Sequence, residues 1–182
     1  QLDRTLAEQR DRTLNERFAM AADRLGSDKP SAVQLAAVHA MAGLADDWEK
    51  NRQTCVDVLC AYLRMPYRSY PGDEAPQEEQ LAFKANREVR HTVIRVISAH
   101  LKDGAVKAWH GLNFDFTAVM LDGGDFSGAE FSNGTVAFRG AEFSGGTVDF
   151  RGAEFSGGTV DFSGAKFSGG TVDFSGAKFS GG

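Results

Sequence analysis

The sequence is poor in the residues that most often carry chemistry. It has two cysteines and four histidines in 182 residues, and no histidine occurs in a metal-binding spacing such as HExxH. His91 lies one helical turn before Arg95, which predicts a surface pair rather than a proton relay. We therefore name no catalytic, cofactor-binding or metal-binding residue and expect that the protein is not an enzyme.

Long apolar runs are also missing. No stretch approaches the eighteen or so uncharged apolar residues of a membrane helix, and the first residues carry no signal-peptide pattern. Cys55 and Cys60 fall about 140° apart on one predicted helix, a geometry that cannot close a disulfide within it. Unbridged thiols suit a reducing compartment, so we expect a cytoplasmic location.

Positive charge is scarce as well. Lys and Arg number 20 against 25 Asp and Glu, which gives a net charge of -5. Such a chain has no broad basic surface for phosphates, because sequence-independent nucleic-acid binding rests on clustered Lys and Arg. We expect no direct nucleic-acid binding.

Glycine and phenylalanine are concentrated in the second part of the chain. Of 21 glycines, 16 lie from Gly123 onward, and of 14 phenylalanines, 12 lie from Phe114 onward. Both cysteines and three of the four prolines lie in residues 30–71. We therefore place a domain boundary between an α-helical region, residues 1–108, and a repeat region, residues 109–182.

The first region has the apolar spacing of four helices. The first ends at Gly26, and the second begins at Pro30 with a stripe of small residues that resembles the inner helix of a HEAT-type pair. The third stops at Pro66. An acidic, exposed and mobile loop follows over about residues 67–80, and a last long helix runs to about Lys102.

The second region repeats a twelve-residue motif of the form AEFSGGTVDFSG. A large apolar residue recurs in it, with a small residue two positions earlier and often a glycine two positions later. Residues two apart in an extended chain point to one side, so the large and small residues form a core. The predicted core centres are Phe116, Leu121, Phe126, Phe131, Phe138, Phe143, Phe150, Phe155, Phe162, Phe167, Phe174 and Phe179.

Units such as AEFSG, VDFRG and AKFSG resemble the pentapeptide-repeat family from about Asn113 to the end of the chain. The resemblance implies a right-handed, quadrilateral β-helix with one pentapeptide on each of four faces. The fold class is then α+β. The helical first region is similar to those that precede such repeats in some bacterial proteins, and the chain can be the cytoplasmic part of a membrane-anchored parent.

The spacing of the centres departs from the family pattern, because Gly-Thr is inserted after every second unit from residue 134 onward. Four five-residue units with two such insertions make one turn of twenty-four residues, which we call the long coil. The rival is a flat turn of twelve, the short coil. In the long coil Glu142 meets Lys166 and Glu154 meets Lys178, against two like-charged pairs, whereas the short coil has one attractive pair and six like-charged pairs side by side. The charges favour the long coil.

The last motif stops after AKFSGG. A final coil without a cover exposes phenylalanine rings and unpaired backbone groups. Because the chain also begins at Gln1, we expect a fragment that is truncated at this end, or an end that meets a second copy in a homodimer.

These features predict a non-catalytic scaffold or protein-interaction module with a protein partner. One alternative, implied by the family resemblance, is a DNA-mimicking regulator of a type II topoisomerase, although residues 129–182 carry only six acids against four bases. Another is an ice-binding solenoid, suggested by threonines recurring every twelve residues, which needs the short coil and more than one adjacent threonine column. The candidate interaction face consists of Asp149, Asp161, Asp173, Arg139 and Arg151.

Overall fold

The computed structural model describes all 182 residues. The chain forms two compact units, Gln1–Leu59 and Cys60–Gly182. This division falls inside a helix and differs from the boundary placed at 108/109 by composition. The physical reason is that the long fourth helix, although its composition is unlike that of the repeats, packs against them. None of the helices combines the length and the apolar character needed to cross a membrane.

The first unit is a helix pair followed by the start of a third helix. Helix α1 (Leu2–Arg24) packs on α2 (Ser31–Asp47), and a short 3₁₀ turn leads into α3 (Arg52–Arg64). Val38 and Met41 of α2 are fully buried. The buried ring of Trp48, directly after α2, meets Phe18 of α1 edge-on at 6.4 Å and joins the two helices.

Helix α4 (Gln77–Leu101) and the segment before it belong to the second unit. Asp73 and Glu74 are exposed as predicted for the acidic loop, but the start of that loop is anchored. Tyr67 stacks on Phe83 of α4 with ring centroids 5.8 Å apart, and Tyr70 meets the same ring at 5.4 Å. The prediction of a mobile segment from residue 67 missed these contacts.

Ten short strands follow, and every pairing between them is parallel. They form three sheets in the orders β1-β5-β8, β4-β7-β10 and β2-β6-β3, with β9 also paired to β6. The strands are β1 (Phe114–Asp115), β2 (Met120–Leu121), β3 (Gly124–Asp125), β4 (Glu130–Ser132), β5 (Thr135–Ala137), β6 (Glu142–Asp149), β7 (Glu154–Ser156), β8 (Thr159–Asp161), β9 (Lys166–Asp173) and β10 (Lys178–Ser180). Helices followed by this parallel array confirm an N-terminal helical region and a repeat solenoid.

The strand register confirms the long coil and rejects the short one. Phe131 lies beside Phe155, and Glu142 lies beside Lys166, each partner one long coil further along the chain. The first coil is shorter, since Leu121 pairs with Phe143 only 22 positions on. It lacks one of the two Gly-Thr insertions, which accounts for the difference.

Stacked phenylalanine rings form the core of the solenoid. Rings one coil apart lie almost parallel, as for Phe126 on Phe150 at 5.1 Å and Phe143 on Phe167 at 4.8 Å. All predicted centres up to Phe155 are buried. Phe114 is also buried, although it was not among the predicted centres. It lies two residues before Phe116, at a position where the repeat has a small inward-facing residue.

The two ends of the ring stack differ. Helix α4 packs on β3, where Ile94 lies so close to Gly124 that a Cβ atom there would meet it at 3.2 Å. Trp109 is fully buried and stacks on His100 of α4, with ring centroids 3.9 Å apart. Near residue 182 the rings of Phe167 and Phe179 are each 58% exposed.

Two columns of glycine shape the corners. The predicted glycines, two residues after the centres, have positive φ, as at Gly128 (64°) and Gly157 (68°), a region that side chains resist. The inserted glycines form a second column for a different reason. A Cβ on Gly158 would lie 2.0 Å from the carbonyl oxygen of Gly134 in the coil before it, so only glycine fits where successive corners touch.

We expect Phe150→Ala to lower the free energy of unfolding by roughly 3 to 5 kcal/mol, because it removes a fully buried ring and leaves a cavity in the stack. The control is Phe179→Ala, in which the truncated ring is already 58% exposed. Chemical denaturation followed by circular dichroism measures both. Equal losses for the two variants would contradict a closed stack at Phe150 and an open one at Phe179.

Candidate interaction surface and the Asp122 cluster

The repeat aspartates close turns rather than point freely into solvent. Each accepts a hydrogen bond from the backbone N–H two residues later, which is the geometry of an Asx turn. The Asp161 carboxylate, for example, accepts from Ser163, and this bond together with Arg139 lowers the pKa of Asp161 to about 2. The five pairs are Asp115 with Thr117, Asp125 with Ser127, Asp149 with Arg151, Asp161 with Ser163 and Asp173 with Ser175.

Several charged side chains of the repeats form ion pairs with one another. Arg151 binds the Asp149 carboxylate with its closest nitrogen and oxygen 2.6 Å apart, and Arg139 binds Asp161 of the next coil at 2.8 Å. Lys178 and Glu154 pair at 2.9 Å, the contact predicted for the long coil. These pairs neutralise part of the charge on the repeats.

The five residues of the predicted interaction face do not share one surface. Asp149 and Asp173 lie side by side on β6 and β9, with Arg151 directly after β6. Asp161 lies on β8 in a different sheet, together with Arg139, which follows β5. Sequence spacing placed them all at equivalent repeat positions, but equivalent positions alternate between two sheets.

Threonines likewise form two separate columns. Thr135 pairs in register with Thr159 in one sheet, and Thr147 pairs with Thr171 in another. Each column is one residue wide. The geometry that an ice-binding surface needs, a short coil with adjacent threonine columns, is not met.

A polar cluster at Asp122 joins three segments of the second unit. Asp122, between β2 and β3, accepts hydrogen bonds from Tyr67 Oη at 2.6 Å, Arg87 Nε at 3.1 Å and His91 Nε2 at 2.9 Å. Burial raises the pKa of Asp122, but the bonds from His91 and Tyr67 and the charge of Arg87 outweigh it and lower the pKa to about 2. The Asp122 carboxylate is thus charged and accepts three side-chain hydrogen bonds.

Arg90 extends the cluster into the core. Its guanidinium is buried, donates to the carbonyl oxygens of Leu63 at 2.8 Å and Met120 at 2.6 Å, and lies 4.0 Å from the ring centroid of Tyr67. Burial is the largest influence on it and lowers the pKa of Arg90. One side chain thereby links the end of α3, the Tyr67 segment and β2.

The prediction of a surface pair between His91 and Arg95 is wrong. The His91 side chain is only 15% exposed and bonds to Asp122, whereas Arg95 contacts Glu88 and Thr92 on its own helix. The sequence held one signal of this cluster: Arg87, Arg90 and His91 recur at helical spacing on one side of α4. Nothing in the sequence pointed to Asp122 as their partner.

The chemistry available to these groups is structural. Asp122 already accepts three side-chain hydrogen bonds, and its pKa of about 2 makes it a weak base. Burial raises the pKa of the Cys55 thiol to about 11, which keeps it protonated and unreactive. No group of three or more His, Cys, Asp and Glu side chains is arranged to hold a metal ion.

Comparison with known proteins gives one result. A family model described as pentapeptide repeats, in nine copies, matches residues 138–182. No curated protein and no solved structure matched the chain. The match confirms the family resemblance for these residues, and the bacterial origin stays a prediction.

We expect the Asp122 cluster to make stability depend on acid pH. The folded pKa of about 2 lies below the ordinary unfolded value of about 3.9, so the stabilisation is complete above pH 4 and is lost as pH falls toward 2. Denaturation at pH 6 and pH 2 should show that Asp122→Asn costs about 2 kcal/mol more at pH 6 than at pH 2. Asp103→Asn, at an exposed residue, is the control. If Asp122→Asn lowers the free energy of unfolding equally at both pH values, the Asp122 carboxylate is not stabilised in its charged form.

Proposed function

We propose, on the premise that residues 138–182 belong to the pentapeptide-repeat family, that this chain is a rigid, non-catalytic scaffold that binds a protein partner. The observation that carries the proposal is the continuous stack of phenylalanine rings one coil apart. Such a stack fixes the spacing of every outward side chain to the coil repeat. A protein that offers fixed positions and no reactive group is suited to recognition.

The proposal includes the shape of the coil. We propose that it is four-sided and right-handed. Residues 130–153 contribute four strand segments, namely β4, β5 and the two ends of β6, where the register shifts between Phe143 and Thr147. A right-handed path is supported by the strong preference of connections between parallel strands for that hand.

The outer surface supports recognition by flat contact. Between corners the solenoid presents serine, threonine and glycine, whose side chains lose little conformational entropy on binding. Several of the charged groups among them form ion pairs within the solenoid, such as Arg139 with Asp161 and Lys178 with Glu154. A partner would therefore meet a preorganised surface, and preorganisation reduces the cost of association.

The same ion pairs weigh against the DNA-mimic alternative. A phosphate mimic needs unpaired, closely spaced negative charge. Here Asp149, Asp161 and Glu154 each have a cation within hydrogen-bond distance. No observation favours a topoisomerase as the partner, and none favours ice.

We also propose a cytoplasmic location. Cys55 and Cys60 are buried and form no disulfide. Thiols of this kind persist where the surroundings are reducing.

Photo-crosslinking tests the scaffold proposal. A photoreactive amino acid at the exposed repeat positions Thr159 and Ser168 should capture the same protein from intact cells, whereas the control position Val106, 96% exposed in a loop, should not. The captured protein, once purified, should bind the chain in calorimetry and lose binding to Thr159→Arg. Capture equal to that from Val106 would contradict recognition by the repeats. Inhibition of gyrase supercoiling by the purified chain would instead establish the DNA-mimic reading.

A further inference from the structure

A groove lies between helix α4 and the chain segment that precedes it. Its volume is about 620 Å³, within the range of roughly 300 to 1,000 Å³ that is usual for ligand-binding clefts. The lining residues, which all lie outside the repeats, are Glu79, Ala82, Phe83 and Asn86 on the helix and Pro66, Arg68, Ser69 and Pro71 on the segment. We call this cavity the Phe83 groove.

The segment that forms one wall of the groove is extended. Proline fixes φ and restricts the residue before it to extended conformations, and the segment begins at Pro66 and ends at Pro71. The chain between these prolines contains no helix, strand, turn or bend. Tyr67 and Tyr70 both contact Phe83, with ring centroids 5.8 and 5.4 Å apart. Contacts three residues apart match the three-residue period of a polyproline II helix.

The backbone of this wall is open to a ligand. No N–H or C=O group of residues 66–71 forms a hydrogen bond within the chain. Side chains hold the segment instead, because the Tyr67 hydroxyl donates to Asp122 at 2.6 Å and the Tyr70 hydroxyl donates to Asp73 at 2.7 Å. The wall is therefore a fixed row of backbone donors and acceptors. Another extended chain is the ligand that presents both kinds of group in the same alternation.

The charge around the groove favours a basic occupant. Residues 66–80 carry four acids and a single base, Arg68. Glu79 lines the groove, and Glu74 lies in the turn that joins its two walls. Both carboxylates are exposed and have no ion-pair partner within the chain. Complementarity with these acids requires Lys or Arg on the bound segment.

Other classes of ligand match these features less well. A nucleic acid would bring phosphates to an acidic rim. A polyamine would satisfy the carboxylates but has no acceptor for the open N–H groups of residues 67–70. An amphipathic helix could cover Phe83, but its own backbone groups are already bonded to one another and would leave the wall unpaired.

We propose that the Phe83 groove binds an extended, basic segment of a partner protein. The backbone of that segment pairs with residues 67–70, and one of its apolar side chains packs on Ala82 and Phe83. Its Lys or Arg side chains meet Glu79 and Glu74. Because these residues lie outside the repeats, the groove is a second interaction surface, separate from the one in the scaffold proposal.

Peptide selection on the purified full chain tests the proposal. Random short peptides displayed on phage are selected on the immobilised chain, with excess soluble Ala82→Trp chain present to remove peptides that bind elsewhere. The selected peptides should be rich in Lys, Arg and apolar residues and poor in Asp and Glu. A fluorescent synthetic copy of a selected peptide then gives the dissociation constant by anisotropy.

The matched variants for this measurement change either shape or charge. Ala82→Trp fills the groove and should abolish binding, whereas Ala99→Trp, at an exposed alanine elsewhere on α4, should leave it unchanged. Glu79→Gln should raise the dissociation constant about twofold, the effect of one exposed ion pair. Glu16→Gln, the same change at an exposed residue of the first unit, should have no effect.

Amide hydrogen exchange followed by NMR identifies the binding mode. The amides of residues 67–70 have no partner in the free chain, so bound peptide should slow the exchange of those that it pairs with. The amide of Val106, which is also unbonded and lies in an exposed loop, should be unaffected.

Three results would overturn the proposal: no selected peptide, selected peptides that bind the Ala82→Trp chain equally well, or binding without slower exchange anywhere in residues 67–70. Thr159→Arg in the repeats should leave peptide binding unchanged. Failure of the groove and failure of partner capture by the repeats are therefore distinguishable.

Discussion

The contact between phenylalanine rings one coil apart is the constraint on which the rest of the solenoid depends. Rings such as Phe155 and Phe179 stack at 4.9 Å with their planes 7° apart, close to the spacing of neighbouring strands. Stacking and backbone pairing therefore demand the same repeat distance. Ring stacking and strand pairing are both satisfied only when a core centre recurs once per long coil. The sequence period therefore determines both the strand register and the packing of the core.

That requirement explains the positions that carry no large side chain. The inserted Gly-Thr pairs extend the turn to the long coil, and the inserted glycines lie on backbone carbonyls of the coil before, as Gly170 does on Gly146. Aspartate before the centre closes the following turn, as Asp173 does for Ser175. Many polar groups of the repeats are therefore engaged in turns and contacts within the coil, which is consistent with a scaffold.

The sequence predicted the features that repeat. The twelve-residue period identified the inward residues, and the opposite charges one long coil apart, such as Glu154 with Lys178, identified the correct coil. Phe114 was missed because it replaces a small residue where the period is not yet regular.

Features that occur once were not predictable in the same way. Asp122 and Tyr67 are 55 residues apart, and neither belongs to a periodic pattern that could pair them. Composition separates α4 from the repeats, although α4 packs on them and lies in the same compact unit. We also predicted that residues at equivalent repeat positions share one surface. In the long coil, Asp161 and Asp173 instead lie in two different sheets.

Disulfide trapping measures the coil length most directly. Cysteines replacing Thr135 and Thr159 would lie side by side on neighbouring strands, within the distance that a disulfide spans. Cysteines replacing Thr147 and Thr159 are twelve residues apart and lie in different sheets. We predict that mild oxidation joins the first pair and leaves the second unjoined, as read by peptide mass spectrometry. A bond in the second pair and none in the first would contradict the stack of long coils.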